Sequence, residues 1–180
     1  MPEPLEGHEH PIQAIDANED FLVSADASGT VVIRDLRTGK PVSELKLMTQ
    51  LRDIAFIPGR NDFIYVGSRG GESTDVLAYR LLKSAPAARP ERLGQLRMTR
   101  QQNDPPRRIS ISPDGHLLVI SNSNNGNLIV LKADDSPEHG GKRFPFEHPA
   151  DLESKGVTTW LVEEHERPVN DIQWSQNGME

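Results

Sequence analysis

The stretch GHEHPIQAIDANEDFLVSADASGTVVIRDLRTGKPVSEL, residues 7–45, decides the fold. Its apolar residues come in short runs rich in Val, Ile, Leu and Thr, each bounded by Gly, Asn, Asp, Ser or Pro, which is typical of strands and turns. No window of helical length in the chain keeps an unbroken helical apolar period. The connections between these runs are two to four residues long, and such short connections make neighbouring strands antiparallel. We predict four strands, at residues 11–17, 21–27, 30–36 and 41–47.

Three later segments resemble the opening of this unit, which indicates an internal repeat. They are residues 51–68, 107–123 and 167–178. The isoleucine that marks the first strand of each unit is expected to be buried, at Ile15, Ile54, Ile109 and Ile172. Polar insertions at 84–106 and 133–156 lengthen the second and third units, and residues 156–164 are predicted to supply the fourth strand of the third.

Particular residues of the first unit resemble one known family, the WD-repeat β-propellers. They are Gly7-His8, Ser24, Gly29-Thr30, Asp35 and Thr38-Gly39-Lys40, and further family-like pieces are SPDG at 112–115 and Trp174-Ser175 with Asn177-Gly178. The resemblance implies an all-β fold, a partial β-propeller of about three four-stranded antiparallel blades plus the first strand of a fourth. The blades of this single unit, 1–180, would span about 5–47, 48–105, 106–164 and 165–180.

Closure of the ring is the next question, because propellers typically need four to eight blades around their axis. Three blades and a strand would leave two apolar blade faces open to water. We therefore expect this chain to be a fragment of a larger propeller, or to self-associate through its open blade faces.

The resemblance also implies structural roles for single residues. In the family, a His, a Ser or Thr, an Asp and a Trp form a hydrogen-bonded network in each blade. His8 and Ser24 match the first two positions, and Asp35 matches the acid that follows the Trp. Ser28 stands at the network Asp position and Arg34 replaces the Trp. Because a half-kept network adds little rigidity, we expect apolar packing rather than hydrogen bonds to hold the blades.

Composition excludes several classes of protein. The 180 residues include no Cys, so there is no disulfide framework and no thiolate nucleophile. No apolar run is long enough to span a bilayer, and no secretory signal is visible. The net charge of −7 argues against a duplex-DNA binder, and nucleic acid is an unlikely partner. No nucleophile elbow or phosphate-binding loop is present. We expect a non-catalytic protein without metal or cofactor, cytoplasmic or nuclear.

Several clusters could be either structural or loop residues or part of a binding site. His8-Glu9-His10 and the pair His139 and His148 could suggest metal, but no local spacing supplies enough ligands, so we interpret them as structural or loop residues. Phe144 and Phe146 are equally consistent with a partner anchor and with packing under their loop. The arginine-rich stretch 89–108 is interpreted as a solvated outer strand and loop rather than a phosphate site.

The family resemblance implies that the loops entering each first strand line one rim of the disc, where proteins or peptides dock. The matching positions are Gln13, Arg52, Arg107 and Asn170, with His10, Arg108 and Arg167 beside them. Two other functions remain open. One is a propeller enzyme with a central metal site, resembling lactone hydrolases, which would use Asp16, Asp53 and Asp171. The other is a nuclear histone- or chromatin-associated scaffold, because residues 169–179 resemble units of such proteins.

Overall fold

The chain is built from three four-stranded antiparallel sheets, seen in a computed structural model that describes residues 7–47, 50–69, 73–82, 84–97, 106–122, 128–133, 159–162, 167 and 169–175. These residues contain no helix, and hence none of the length and apolarity needed to cross a membrane. In each sheet the strands follow one another in chain order. The predicted all-β fold of three blades is confirmed.

Each blade uses one run of four strands. Blade 1 contains β1 (Ile12–Ala17), β2 (Phe21–Asp26), β3 (Thr30–Asp35) and β4 (Pro41–Lys46). Blade 2 contains β5 (Gln50–Phe56), β6 (Asp62–Arg69), β7 (Ser73–Arg80) and β8 (Glu91–Arg97). Blade 3 contains β9 (Pro106–Ile111), β10 (Leu117–Asn122), β11 (Leu128–Lys132) and β12 (Thr159–Val162). The fourth strand of blade 3 therefore lies within 156–164, as the sequence predicts.

Turn chemistry explains why the strands end where they do. Gly29 has a φ of 89° between β2 and β3, and Gly115 has a φ of 72° between β9 and β10. Both are in the left-handed region that a residue with a Cβ rarely adopts. Between β1 and β2, the side-chain oxygen of Asn18 accepts hydrogen bonds from the backbone N–H of Asp20 (3.0 Å) and Phe21 (2.8 Å). These short turns set the antiparallel pairing within each sheet.

Apolar packing between blades forms two cores, because alternate residues of a strand point to opposite faces of the sheet. The first core joins blade 1 to blade 2 and includes Phe21, Val23 and Ile33 facing Phe63 and Tyr79. The second core joins blade 2 to blade 3 and includes Ile64 and Val76 facing Leu118, Ile120 and Ile129. Blade 2 is thus covered by sheet on both faces.

The first strands of the blades lie in a row, since β1 contacts β5 and β5 contacts β9. An Asp16 carboxylate oxygen accepts the backbone N–H of Phe56 at 2.7 Å, which joins the C-terminal end of β1 to that of β5. The Asp53 carboxylate accepts the N–H of Ile109 at 2.9 Å, which joins β5 to β9. The three first strands therefore run in the same direction along one edge of the arc.

The expectation of a buried isoleucine in each repeat is wrong for Ile15, and Ile172 is only half-buried. Ile54 and Ile109 are 3% and 7% exposed, but Ile15 is 58% exposed, and its neighbour Ile12 is 51% exposed. The reason is positional, because Ile54 is buried in the core shared with blade 1 and Ile109 in the core shared with blade 2. In the described part of the chain, no sheet covers the corresponding face of blade 1.

Residues 169–175, expected to begin a fourth blade, form no strand. They lie against blade 3, where the Ser121 hydroxyl donates to the Val169 carbonyl at 3.5 Å. A first strand is held by the second strand of its own blade, and none of the described residues supplies one here. The described structure therefore contains three formed blades and an adjoining segment that forms no strand.

Candidate functional site

The predicted rim residues share a structural position that spacing alone does not show. In β1, Ile12 and Ala14 pair with consecutive residues of β2, so one residue of β1 has no partner. In β5, Leu51 and Asp53 pair with consecutive residues of β6 in the same way. The same irregularity separates Pro106 from Arg108 in β9. The extra residues of these three β-bulges are Gln13, Arg52 and Arg107. A β-bulge redirects the side chain it inserts, so each blade has the same device at the same place.

These three bulge residues, which we call the bulge row, lie on one edge of the structure because their strands are parallel neighbours. Gln13 and Arg52 are exposed, and Arg107 is half-buried. The remaining predicted rim residues are His10, Arg167 and Asn170, all exposed, and Arg108, which is half-buried. Asn170 has the sequence register of a bulge residue, but it lies in segment 169–175, which forms no strand. The structure therefore brings Gln13, Arg52 and Arg107 into one row.

Charge within the row comes from arginines placed next to a half-buried acid, Asp53. Burial raises the pKa of Asp53 above its usual range, although the N–H groups of Ile109 and Ile54 and the Arg108 guanidinium act in the opposite direction. The Asp53 carboxylate therefore binds backbone N–H groups of both blades, and Arg108 lies close enough to lower its pKa. Arg52 is exposed and carries a guanidinium, so the row presents a positive edge on a net-negative chain.

The arginine-rich stretch is divided by the fold rather than gathered into one patch. Arg89 and Arg92 are exposed beside and on β8, the last strand of blade 2. Arg107 and Arg108 are on β9, the first strand of blade 3. Arg97 ends β8, and Arg100 lies outside the described residues. Because the first and last strands occupy opposite edges of a blade, the described arginines of this stretch form no single basic surface.

A hydrogen-bonded network does exist in blade 1, and its acid is Asp26 rather than the expected Ser28. The His8 ring lies between Asp26 and Ser24, with Nδ1 3.0 Å from Asp26 Oδ2 and Nε2 2.7 Å from Ser24 Oγ. The other Asp26 oxygen accepts from the Ser28 N–H (2.9 Å), the Ser28 hydroxyl (2.6 Å) and the Thr30 N–H (3.1 Å). The expectation that blade 1 lacks a strong network is therefore wrong.

Asp26 is 1% exposed, and its environment favours the carboxylate. Burial raises the pKa of Asp26, but hydrogen bonds from Ser28, His8 and the Thr30 N–H outweigh that effect and hold it below its usual value. Asp35, the third residue with an implied structural role, closes the β3–β4 turn by accepting the Thr38 N–H at 2.8 Å. That bond is the main reason that the pKa of Asp35 is also lowered.

Arg34 replaces the tryptophan of the network without replacing its function. Arg34 is 4% exposed, and its Nη2 has no hydrogen-bond partner. The other terminal nitrogen donates to the Gly39 carbonyl at a long 3.4 Å. A Cβ on Gly7 would lie 3.2 Å from Nη2, so the backbone of the His8 segment lies close to this guanidinium. Blade 1 therefore contains an incompletely satisfied buried cation.

The first-strand acids are used as connections between blades, which sequence reasoning missed. Each uses one oxygen for the next N–H of its own strand, since Asp16 Oδ1 accepts from Ala17 (2.8 Å) and Asp53 Oδ1 from Ile54 (3.0 Å). The second oxygen accepts from the following blade, as given above. Within the described residues, no three His, Cys, Asp or Glu side chains are grouped in a way that could hold a metal ion.

The opposite ends of the first strands border a groove of about 910 Å³. Its walls come from β5, β9 and the turns after β1 and β5, including Asn18, Arg60 and Asn61. The Asn18 amide bridges blades 1 and 2 by donating to the Arg60 carbonyl (3.0 Å) and the Asn61 side-chain oxygen (2.9 Å). The predicted loop residues His139, Phe144, Phe146 and His148 lie outside the described residues.

Comparisons with known proteins identify the fold but no close relative. No family model and no curated protein sequence matches the chain. One similar structure is the β-propeller domain of Myceliophteria thermophila Cps50 (Swd1), at 13% identity and a TM-score of 0.64 over 97% of this chain and 49% of that one. Another is Chaetomium thermophilum Sqt1 bound to the N-terminus of ribosomal protein L10, at 22% identity and a TM-score of 0.55 over 71% of this chain and 34% of that one.

A third similar structure is the computationally designed Ika4 protein, at 18% identity and a TM-score of 0.54 over 73% of this chain and 74% of that one. The chain thus spans about half of the Cps50 domain and a third of Sqt1, whereas it is about as long as Ika4. At these identities the likeness concerns the fold. The resemblance to the WD-repeat β-propellers therefore holds for the architecture, which is that of a partial β-propeller.

Proposed function

We propose that this chain is part of a non-catalytic scaffold that binds a protein or peptide along the bulge row. The observation that carries the proposal is the β-bulge that recurs in β1, β5 and β9 and projects Gln13, Arg52 and Arg107 along one edge. Bulges are frequent next to functional sites because they redirect side chains. A recurring bulge that places polar side chains at the entry of each blade suits contact with an extended partner.

Rigidity supports the same proposal, because a binding edge must keep its spacing. The Asp16 and Asp53 carboxylates connect successive first strands, and Asn18 connects the following turns. At the outer side, the Ser43 hydroxyl donates to the Ala88 carbonyl at 3.3 Å. Connections at both the inner and outer edges hold blades 1 and 2 in a fixed relation. The row is therefore preorganised, which lowers the entropic cost of binding.

Charge gives the partner its chemistry. Arg52, Arg107 and Arg108 carry guanidinium groups that pair well with carboxylates. The exposed His10 and Arg167 add donors near the same edge. Sqt1, which shares the fold, was solved with the N-terminus of ribosomal protein L10 bound, so a structure of this architecture can hold a peptide. We propose an acidic peptide segment as the partner of this chain, in the cytoplasm or nucleus.

The alternative of a propeller enzyme receives less support from the geometry. Its candidate acids Asp16 and Asp53 have both oxygens engaged by backbone N–H groups, which leaves them poorly placed to coordinate a metal. Asp171 also accepts from Ile172 and Gln173. A chromatin-associated role would be one instance of the scaffold function and rests on the identity of the acidic partner.

A charge-reversal experiment tests the proposal. Fluorescence anisotropy of a labelled oligoglutamate peptide would be measured with the chain and with its R52E/R107E variant. We expect the double variant to bind at least roughly ten-fold more weakly, since like charges then face each other. The matched control is R37E/K40E, which makes the same charge change in the exposed β3–β4 turn and should change the affinity less than about two-fold.

The outcomes separate the proposal from general electrostatics. Equal loss of affinity in both double variants would show that only net charge matters, and the proposal would be wrong. Unchanged affinity in R52E/R107E, with an unchanged circular dichroism spectrum, would also overturn it. No binding of oligoglutamate by the parent chain would remove the acidic-peptide partner altogether.

A further inference from the structure

Asp171, in the segment 169–175 that forms no strand, repeats the local geometry of the connecting acids. Its Oδ1 accepts the N–H of Ile172 at 2.9 Å, as Asp53 Oδ1 accepts the N–H of Ile54 at 3.0 Å. Asp171 also precedes its isoleucine in the same register as Asp53. In Asp53, the second oxygen accepts a backbone N–H from the first strand of the following blade. Asp171 is therefore arranged as a connecting acid.

The second oxygen of Asp171 has only a local partner. It accepts the side-chain amide of Gln173 at 3.1 Å, in an exposed position two residues away. An exposed amide on a flexible side chain exchanges readily with water or with another donor. A backbone N–H from a docked strand could therefore replace it, as the N–H of Ile109 occupies Asp53.

The complementary half of this contact lies on blade 1. Ile15 follows the β1 bulge in the same register as Ile109 follows the β9 bulge. The N–H of Ile109 meets the Asp53 carboxylate, whereas no described side chain accepts the N–H of Ile15. The Ile109 side chain is 7% exposed under blade 2, whereas Ile15 is 58% exposed. Blade 1 thus lacks both contacts that a preceding first strand supplies to blade 3.

The rest of that face of blade 1 is already closed, which limits where a partner can add. Val32 and Arg34 are 2% and 4% exposed, and the His8 segment lies over them. The open part is the first strand, with Ile12 and Ile15 exposed by about half. The apolar surface that a partner could cover therefore lies along β1, the position at which the row of first strands would continue.

We propose that a second copy of this chain docks its segment 169–175 along β1, with the Asp171 carboxylate accepting the Ile15 N–H. The row β1, β5, β9 and 169–175 of one copy would then continue into β1 of the other. The same chain carries both halves of the contact, and Ika4 shows that a chain of similar length takes this fold. Because the halves differ, the contact is head-to-tail, and a two-fold axis would close it after two copies.

Size-exclusion chromatography with light scattering tests the contact over a series of concentrations. The chain is expected to show at least twice its own 20.0 kDa. Ile15→Glu should shift it to the single-chain mass, with a dissociation constant raised at least about ten-fold, because a charge would be buried at the contact. The matched control Leu36→Glu makes the same kind of change at a side chain 46% exposed in the β3–β4 turn, and it should keep the higher mass.

Hydrogen exchange distinguishes the proposed contact from general apolar association. The Ile15 amide should be protected in the associated protein, and Asp171→Ala should remove that protection and raise the dissociation constant about five-fold, as loss of one hydrogen bond requires. A single-chain mass at every concentration would overturn the proposal. So would a higher mass that survives Ile15→Glu, or an Ile15 amide that exchanges equally fast with and without Asp171.

Discussion

Blades 1 and 2 stabilise equivalent faces in different ways. On blade 2, Phe63 stacks on Tyr79 with ring centroids 5.5 Å apart and meets Phe56 edge-on at 6.1 Å. On blade 1, the corresponding strands carry Ser24 and Arg34, and His8 joins Ser24 to Asp26. The difference follows from what covers each face. The blade 2 face packs against another sheet and is apolar, whereas the blade 1 face lacks such a cover among the described residues and tolerates polar groups.

This contrast shows that one backbone geometry accepts two kinds of stabilisation. Aromatic packing gains from area removed from water and from favourable ring geometry. A hydrogen-bonded network gains less per contact, but it fixes the direction of the chain that enters the blade. Changes at equivalent places in the two blades should therefore differ in size and in pH dependence.

The largest effect is expected from the aromatic cluster of blade 2. Phe63 is fully buried in the core between blades 1 and 2, so Phe63→Ala should lower the free energy of unfolding by about 3–5 kcal/mol, measured by urea denaturation. Phe63→Leu keeps most of the volume and should cost only about 1–2 kcal/mol. A loss below about 1 kcal/mol for the alanine variant would show that the cluster does not stabilise this face.

The network of blade 1 should show a smaller loss with a defined pH dependence. Asp26→Asn removes the negative charge that four hydrogen bonds stabilise and replaces one acceptor oxygen with an NH2 donor, which should cost about 2–3 kcal/mol near neutral pH. Because the folded pKa of Asp26 lies below its usual 3.8, its contribution is complete above that value and is lost as the pH falls through the folded pKa. The parent and the variant should therefore converge in stability on acidification.

Glu44→Gln is the matched control for that change, since Glu44 is an exposed acid on β4 of the same blade. It should alter stability by no more than about 0.5 kcal/mol at any pH. A constant difference between the parent and Asp26→Asn from neutral to acidic pH would contradict the role given to the carboxylate.

A small gain is expected from converting blade 1 toward the apolar type. Arg34→Met removes a buried guanidinium nitrogen without a partner and should raise the free energy of unfolding by about 1 kcal/mol in thermal or urea denaturation. Arg37→Met, at an exposed turn position, should leave stability within about 0.5 kcal/mol. A clear loss of stability in Arg34→Met would show that the guanidinium is satisfied and that the comparison of the two blades is wrong.

Most of the fold could be predicted from local signals. The alternation of apolar runs with Asn18, Gly29 and Gly39 turns predicts the strands of blade 1 within one residue or so, because turn chemistry acts on neighbouring residues. The exposure of Ile15 could not be predicted in this way. It depends on whether another sheet lies against β1, which is information that the strand itself does not contain.

The candidate site was predictable in part. Matching the repeats to the family pattern selects Gln13, Arg52 and Arg107. It does not predict that they are bulge residues, because a bulge is a property of the pairing between two strands. The network acid was misplaced at Ser28 because alignment follows chain position. In space, Asp26 reaches His8 with one oxygen while Ser28 and Thr30 bind the other. The connecting acids Asp16 and Asp53 were missed because their partners lie one blade away.

The central claim is that parallel first strands are connected by carboxylates, and an NMR pH titration tests it most directly. The side-chain carboxyl of Asp53 and the backbone amide of Ile109 would be followed together. We predict that Asp53 titrates above its usual 3.8 and that the Ile109 amide shift follows the same curve, although the two residues belong to different blades. An Ile109 amide that ignores the titration of Asp53 and is unchanged in Asp53→Asn would contradict the account.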